Sequence, residues 1–219
     1  MKRTLYAVFA GLIVLGLTGC GGGGDSPPPI FTAQIFSDSG LDGDIEQTSP
    51  NSFLVVQGMS PTIQSVFAGT DPLMLTEFRA FLQFPLSGPG GVPGNAIIQS
   101  AFLNIFINSI QPFSGTTPML IELVSFQPPT LLPTDFNRTL QPPLALTRVV
   151  PPISPADVGN DVAIDVTALM VEAQRLGLSN FQLRILEDLQ VGTPVLVEIN
   201  DSTGANRSDL APLLTINSL

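Results

Sequence analysis

The chain has 219 residues, eighteen acidic against eight basic side chains, a formal charge of −10 at neutral pH, and no histidine or tryptophan. That balance excludes a cationic face broad enough to neutralise nucleic-acid phosphates. Without His there is no Ser-His-Asp relay, no imidazole base and no His-bearing zinc site, and a single cysteine allows no disulfide within the chain, so the fold rests on its core.

Met1-Lys2-Arg3 is positively charged and Leu5 to Leu17 is a nearly unbroken apolar run. This is the length of a secretory signal, shorter than the roughly 20 residues a spanning helix needs. The leader ends in Leu17-Thr18-Gly19-Cys20, which resembles the lipobox of bacterial lipoproteins. The resemblance implies that residues 1–19 are cut away, that the Cys20 thiol carries a diacylglyceryl group, and that the protein is held to the membrane by that lipid. One acyl chain anchors marginally and two or three stably. Gly21, where retained lipoproteins commonly carry Asp, implies delivery to the outer membrane. Downstream of residue 19 no Lys, Tyr, Trp or His remains, and six arginines face eighteen acids, a formal −12. Residues 20–29 continue as a Gly/Pro tether, too poor in apolar groups to fold.

From Ile30 the pattern becomes short period-two stretches separated by Gly, Pro, Asn, Asp and Ser. Strands are predicted where Phe31, Ala33 and Ile35 alternate, at Ser52 to Gln57, at Ser65 to Ala68, and at Glu77 to Phe84 with Ala80, Leu82 and Phe84 on one face. After the turn-rich Gly88 to Asn95, Ile97 to Asn108 is the longest strand, its apolar face formed by Ala101, Leu103, Ile105 and Ile107. Met119 to Phe126 follows. Residues 127–159 hold eight prolines, so they are loop or edge with one short strand at Leu144 to Val149, either a binding loop or a flap covering a sheet. Val162 to Val166 is a strand leading into the one helix, capped by Asp165 or Thr167, striped by Leu169, Ala173 and Leu176, and stopped by Gly177. Phe181 to Ile185, Val195 to Ile199 and Leu214 to Ile216 complete the set. The prediction is an all-β fold, a jelly-roll-like antiparallel β-sandwich with one short helix at about 166–176, formed by residues 30–219 as a single domain.

EFRAFLQFPL (77–86), the Gly/Pro turn and AIIQSAFLNIFI (96–107), then VAIDVTALM (162–170), FQLRI (181–185) and APLLTI (211–216), resemble in order and spacing the secreted bacterial domains called DNRLRE domains. Some of these are grouped with carbohydrate-binding modules. The resemblance implies a jelly-roll sandwich, an extracytoplasmic location and, in the members that carry the carbohydrate label, polysaccharide binding. Trp and Tyr platforms are absent, so any glycan contact falls to Arg, Asn and Asp.

Three candidate chemistries follow. Asp38, Asp42, Asp44 and Glu46 crowd a Gly-containing stretch whose hard oxygens suit Ca²⁺, the alternative being a solvated acidic turn; Glu187-Asp188 and Asn200-Asp201 are weaker versions. Arg79, Arg148 and Arg184 each suit an acidic sugar, the alternative being surface ion pairs. No catalytic residue is marked, so an enzyme would be a carboxylate-based glycan-degrading one. The expected function is a non-catalytic, lipid-anchored surface module that binds or organises an extracytoplasmic partner, a polysaccharide being one candidate, with an assembly lipoprotein that pairs with another envelope protein as the alternative.

Overall fold

The computed structural model describes residues 29–126, 130–188 and 193–219. The leader, Cys20 and the tether up to residue 28 lie outside the described residues. Twelve strands carry the fold: β1 (Phe31–Phe36), β2 (Gly43–Ser49), β3 (Ser52–Gln57), β4 (Ser65–Thr70), β5 (Glu77–Pro85), β6 (Ile98–Gln111), β7 (Met119–Val124), β8 (Ala145–Arg148), β9 (Asp161–Asp165), β10 (Asn180–Glu187), β11 (Leu196–Asn200) and β12 (Leu213–Ser218). Three helices join them: α1 (Pro133–Phe136), α2 (Thr167–Arg175) and α3 (Arg207–Leu210). No helix among the described residues is long and apolar enough to cross a membrane.

All pairings between these strands are antiparallel, in the order β1-β12-β6-β11-β4-β5-β10-β7-β8, with β9 also on β6 and the β2–β3 hairpin also on β5. The 14-residue β6 is long enough, at about 46 Å, to serve two layers. Its first half pairs with β12 and β9 and its second half with β11, where the register slips between Glu198 and Ile199. Such a bulge bends the sheet and lets one strand pass between layers. The result is an all-β, curled, sandwich-like fold.

The main core lies inside the curl. Ala80, Leu82 and Phe84 of β5, Ala101, Leu103, Ile105 and Ile107 of β6, and Leu183 and Ile185 of β10 are fully buried there, as the alternation predicts. The predicted helix is present, with Leu169 and Ala173 buried and Gly177 at φ +65° ending it. Its cap is the Asp165 carboxylate, which accepts from Thr167 N–H at 2.8 Å. Two details differ: Leu176 is 40% exposed and Met170 fills the core beside Leu169, because the helix is one residue shorter than its stripe; and Phe31, at the start of β1, is 63% exposed.

The larger difference is a second core on the opposite face. Ile45, Phe81, Val124 and Phe126 point away from the main core and are covered by Leu131 and Phe136 from the segment around α1. The proline-rich region thus acts, over residues 131–141, as a flap. Pro133 at the first helical turn and Asp135, whose carboxylate accepts from Leu132 N–H at 2.8 Å, define its one-turn helix. Phe136 packs on Phe53 with ring centroids 5.2 Å apart. A second correction concerns the stretch 37–47, expected as a Gly-containing acidic loop: from Gly43 on it belongs to β2, locked between β3 and β5.

Gly69 sits at φ +114° with its missing Cβ position 2.0 Å from the Val195 carbonyl oxygen. Both the left-handed backbone and the close approach of β11 require glycine there. Gly69→Ala is expected to cost about 2–4 kcal/mol in urea unfolding; a loss below about 0.5 kcal/mol would contradict this packing.

Candidate functional site

The flap brings arginines together. Arg184 on β10 faces Glu122 on β7 directly across the ladder, and both are fully buried. Arg184 Nε donates to Glu122 Oε2 at 2.8 Å, Nη1 to the Asp135 carbonyl at 2.7 Å and Nη2 to the Gln141 carbonyl at 3.0 Å. The last two acceptors belong to the flap, so this guanidinium fastens the flap to the sheet. Arg138, next in the flap, reaches the other oxygen of Glu122 at 2.5 Å. Arg79 lies 4.0 Å over the Phe136 ring, donates to the Phe136 carbonyl and pairs with Glu77 at 2.7 Å.

Beside the flap edge is a groove of about 370 Å³ lined by Glu77, Arg79, Leu120, Arg138, Leu146, Arg148, Leu186, Glu187 and Asp188. Arg148 of the edge strand β8 is 61% exposed and uses its Nε on Asp188 at 2.9 Å; Arg138 is 40% exposed. Arg148 keeps both Nη groups off the Asp188 contact, whereas Arg138 spends its Nη2 on the buried Glu122. Leucines give the groove apolar surface. Burial raises the Glu187 carboxyl above its ordinary range, opposed by the hydrogen bond from Val195 N–H, with the Glu77 charge adding to the rise. Burial lowers the Arg184 guanidinium, and Glu122 opposes that shift. A smaller pocket of about 210 Å³ between Leu86, Val92, Pro93, Met170 and Leu178 brings no charged side chain.

The sequence-predicted residues are redistributed. Arg79 and Arg148 meet at the groove, whereas Arg184, expected on an outward face, is buried because the flap lies over it. Asp38, Asp42, Asp44 and Glu46 do not gather. Asp38 turns back to Gly40 N–H at 3.0 Å, Asp42 accepts from Gln83 N–H at 2.7 Å, and Asp44 accepts from Phe67 N–H at 3.2 Å. Asp44 and Glu46 are spaced along the extended β2 and cannot wrap one point, and among the described residues no group of three or more acidic, His or Cys side chains is placed to hold a metal ion. Glu187 and Asp188 fall in the groove instead. Arg138 and Glu122 were not singled out by sequence reasoning; the only signal for Arg138 is its position just after a Pro-initiated helical turn.

Two expectations follow. Glu122→Gln leaves Arg184 buried without its counter-charge and is expected to cost about 3–5 kcal/mol in chemical denaturation, while Glu122→Leu combined with Arg184→Met costs far less; equal losses would contradict the pairing. Asp44 is 4% exposed and burial pushes it up to about 7. The native state therefore keeps a proton that the unfolded chain releases near its ordinary pKa of about 3.9. Its stabilising effect is complete below that value and is lost as pH climbs through 7. Thermal melts from pH 5 to 8 are expected to show falling stability, with a shallower fall in Asp44→Asn; an unchanged slope would contradict this.

No family profile and no curated protein matches this sequence, so the likeness to DNRLRE domains and to lipoproteins rests on the residues quoted for it.

Proposed function

We propose that this chain is a non-catalytic, lipid-anchored extracytoplasmic module that binds an acidic polysaccharide at the arginine groove. The observation that carries the reading is the concentration of arginine in a groove that also holds Glu77, Glu187 and Asp188. Four of the six arginines downstream of Cys20 fall in this one region, three of them lining the groove, in a protein otherwise dominated by acids. Arginine's rigid fork suits bidentate contact with carboxylates. Leu146, 50% exposed, supplies apolar contact for a sugar-ring face in the absence of Trp and Tyr. The acidic remainder of the surface repels polyanions, which confines them to the groove and sharpens selection.

A non-catalytic role fits the carboxyls present. Glu77 is tied to Arg79, and Glu187 is 3% exposed, so neither presents a free acid to a glycosidic oxygen. The anchor is carried by the Leu17 to Cys20 motif. The alternative, an assembly lipoprotein, is favoured by one feature: Leu73, Met74 and Leu75 stand 89%, 77% and 69% exposed at a loop tip, held by the Asp71 carboxylate on the N–H groups of Leu73 and Met74.

Affinity electrophoresis in gels containing polyuronate is expected to retard the wild-type protein. Arg148→Gln is expected to lose about tenfold in affinity, the order of one charge-assisted contact; because it leaves the buried Asp188 without its guanidinium, the affinity is compared with that of Arg148→Gln combined with Asp188→Asn, which is expected to show the same loss with the fold intact. Retardation equal in neutral glucan gels, or none in polyuronate, would contradict the proposal. In cells, labelling with a radioactive fatty acid is expected for the wild type and absent in Cys20→Ser; label retained in that variant would remove the anchor.

A further inference from the structure

Asp42, in the loop before β2, and Asp201, just after β11, meet in the interior with no solvent exposure. Asp42 spends Oδ1 on Gln83 N–H, and Asp201 Oδ1 accepts from Ser37 Oγ at 3.4 Å and lies 3.9 Å from Arg207 Nη1. The Oδ2 of each is buried and has no donor, and the charge of Asp201 acts on Asp42. Ionised together they would be desolvated, unsatisfied and mutually repelling. A single proton between them removes all three penalties.

We propose that Asp42 and Asp201 share one proton and, with Arg207, form a pH-sensitive clasp that holds the Ser37–Asp42 loop and the Asp201–Arg207 segment against the sheet and loosens when the proton leaves. The groups facing the pair are Ser37, Asp38, Arg207 and the Gln83 N–H. With the partly exposed Arg207 cationic and one proton on the pair, the guanidinium balances the remaining carboxylate; the second negative charge has no partner. Arg207 donates to the Ser37 carbonyl and to the Ser202 carbonyl at 3.4 Å, so it already bridges both segments. A divalent cation fits less well, because Ca²⁺ takes six to eight oxygens and Arg207 already supplies the positive charge at the pair. The loop that would loosen also carries Asp38 N–H to the Gln83 carbonyl and Ser37 N–H to the Pro212 carbonyl, which tie β1 to β5 and to the chain before β12.

The sign follows from burial, which pushes Asp42 well above the ordinary carboxylate range and Asp201 up to about 6. The native state holds protons that the unfolded chain has lost, so stability falls as pH rises through about 6, where Asp201 ionises, and falls further where Asp42 gives up the shared proton.

Amide hydrogen exchange read by mass spectrometry at pH 5 and pH 8, corrected for intrinsic rates, tests this. Protection of peptides covering 37–42 and 201–207 is expected to fall about tenfold or more between the two pH values, the equivalent of one pKa unit, and by more than that of β10, which follows only the global stability. Asp42→Asn, whose amide donates to Asp201 without titrating, is expected to keep its pH 5 protection at pH 8; Asp201→Asn serves if that variant does not fold. Protection in the wild type that ignores pH, asparagine variants that remain as pH-sensitive as the wild type, or restoration at pH 8 by added calcium would each overturn the proposal.

Discussion

The buried pair of Arg184 and Glu122 is the constraint around which this face of the molecule is arranged. A guanidinium cannot lie in a sheet without satisfying its donors, and Glu122 alone cannot satisfy them. The remaining acceptors are the carbonyls of Asp135 and Gln141, so the flap must close over β5, β10 and β7. Closure buries the second core of Ile45, Phe81, Val124, Phe126, Leu131 and Phe136. It also sets Phe136 under Arg79 and Arg138 on the free oxygen of Glu122. The groove follows from the closure. The same ion pair that costs desolvation energy places the rim arginines.

A chain so acidic makes cationic groups scarce, and what it does with them is informative. Arg175 stays on the surface with Glu172 at 2.6 Å, the ordinary helical pair. Arg207 closes the far side of the curl. The other four gather at the flap, where buried acids fix them in place and leave Arg138 and Arg148 partly exposed. Sites built on rigid strands hold their geometry better than sites on free loops. Here Arg79 and Arg148 project from strands, and Arg138 from the flap between Asp135 and Gln141, the two residues whose carbonyls Arg184 holds.

The sequence made the main core legible because period-two alternation survives wherever one face is apolar, as at Ala101 to Ile107. It failed where a strand is buried by pairing and not by pattern. In β2 only Ile45 is apolar, and its acids read as a metal loop; Asp44 is buried because β3 and β5 enclose it. Arg184 alternates with Leu183 and Ile185 exactly as an outward residue would, and nothing local announces a flap. Asp42 and Asp201 lie too far apart in sequence for any spacing rule to join them.

The most direct test of the groove is to follow the arginine side-chain Nε–H resonances by NMR while titrating a short oligouronate. The account predicts that the signals of Arg138 and Arg148 move together while that of Arg184 stays in place and exchanges slowly with solvent. Unmoved rim signals, or an Arg184 signal exchanging as fast as that of Arg175, would contradict it.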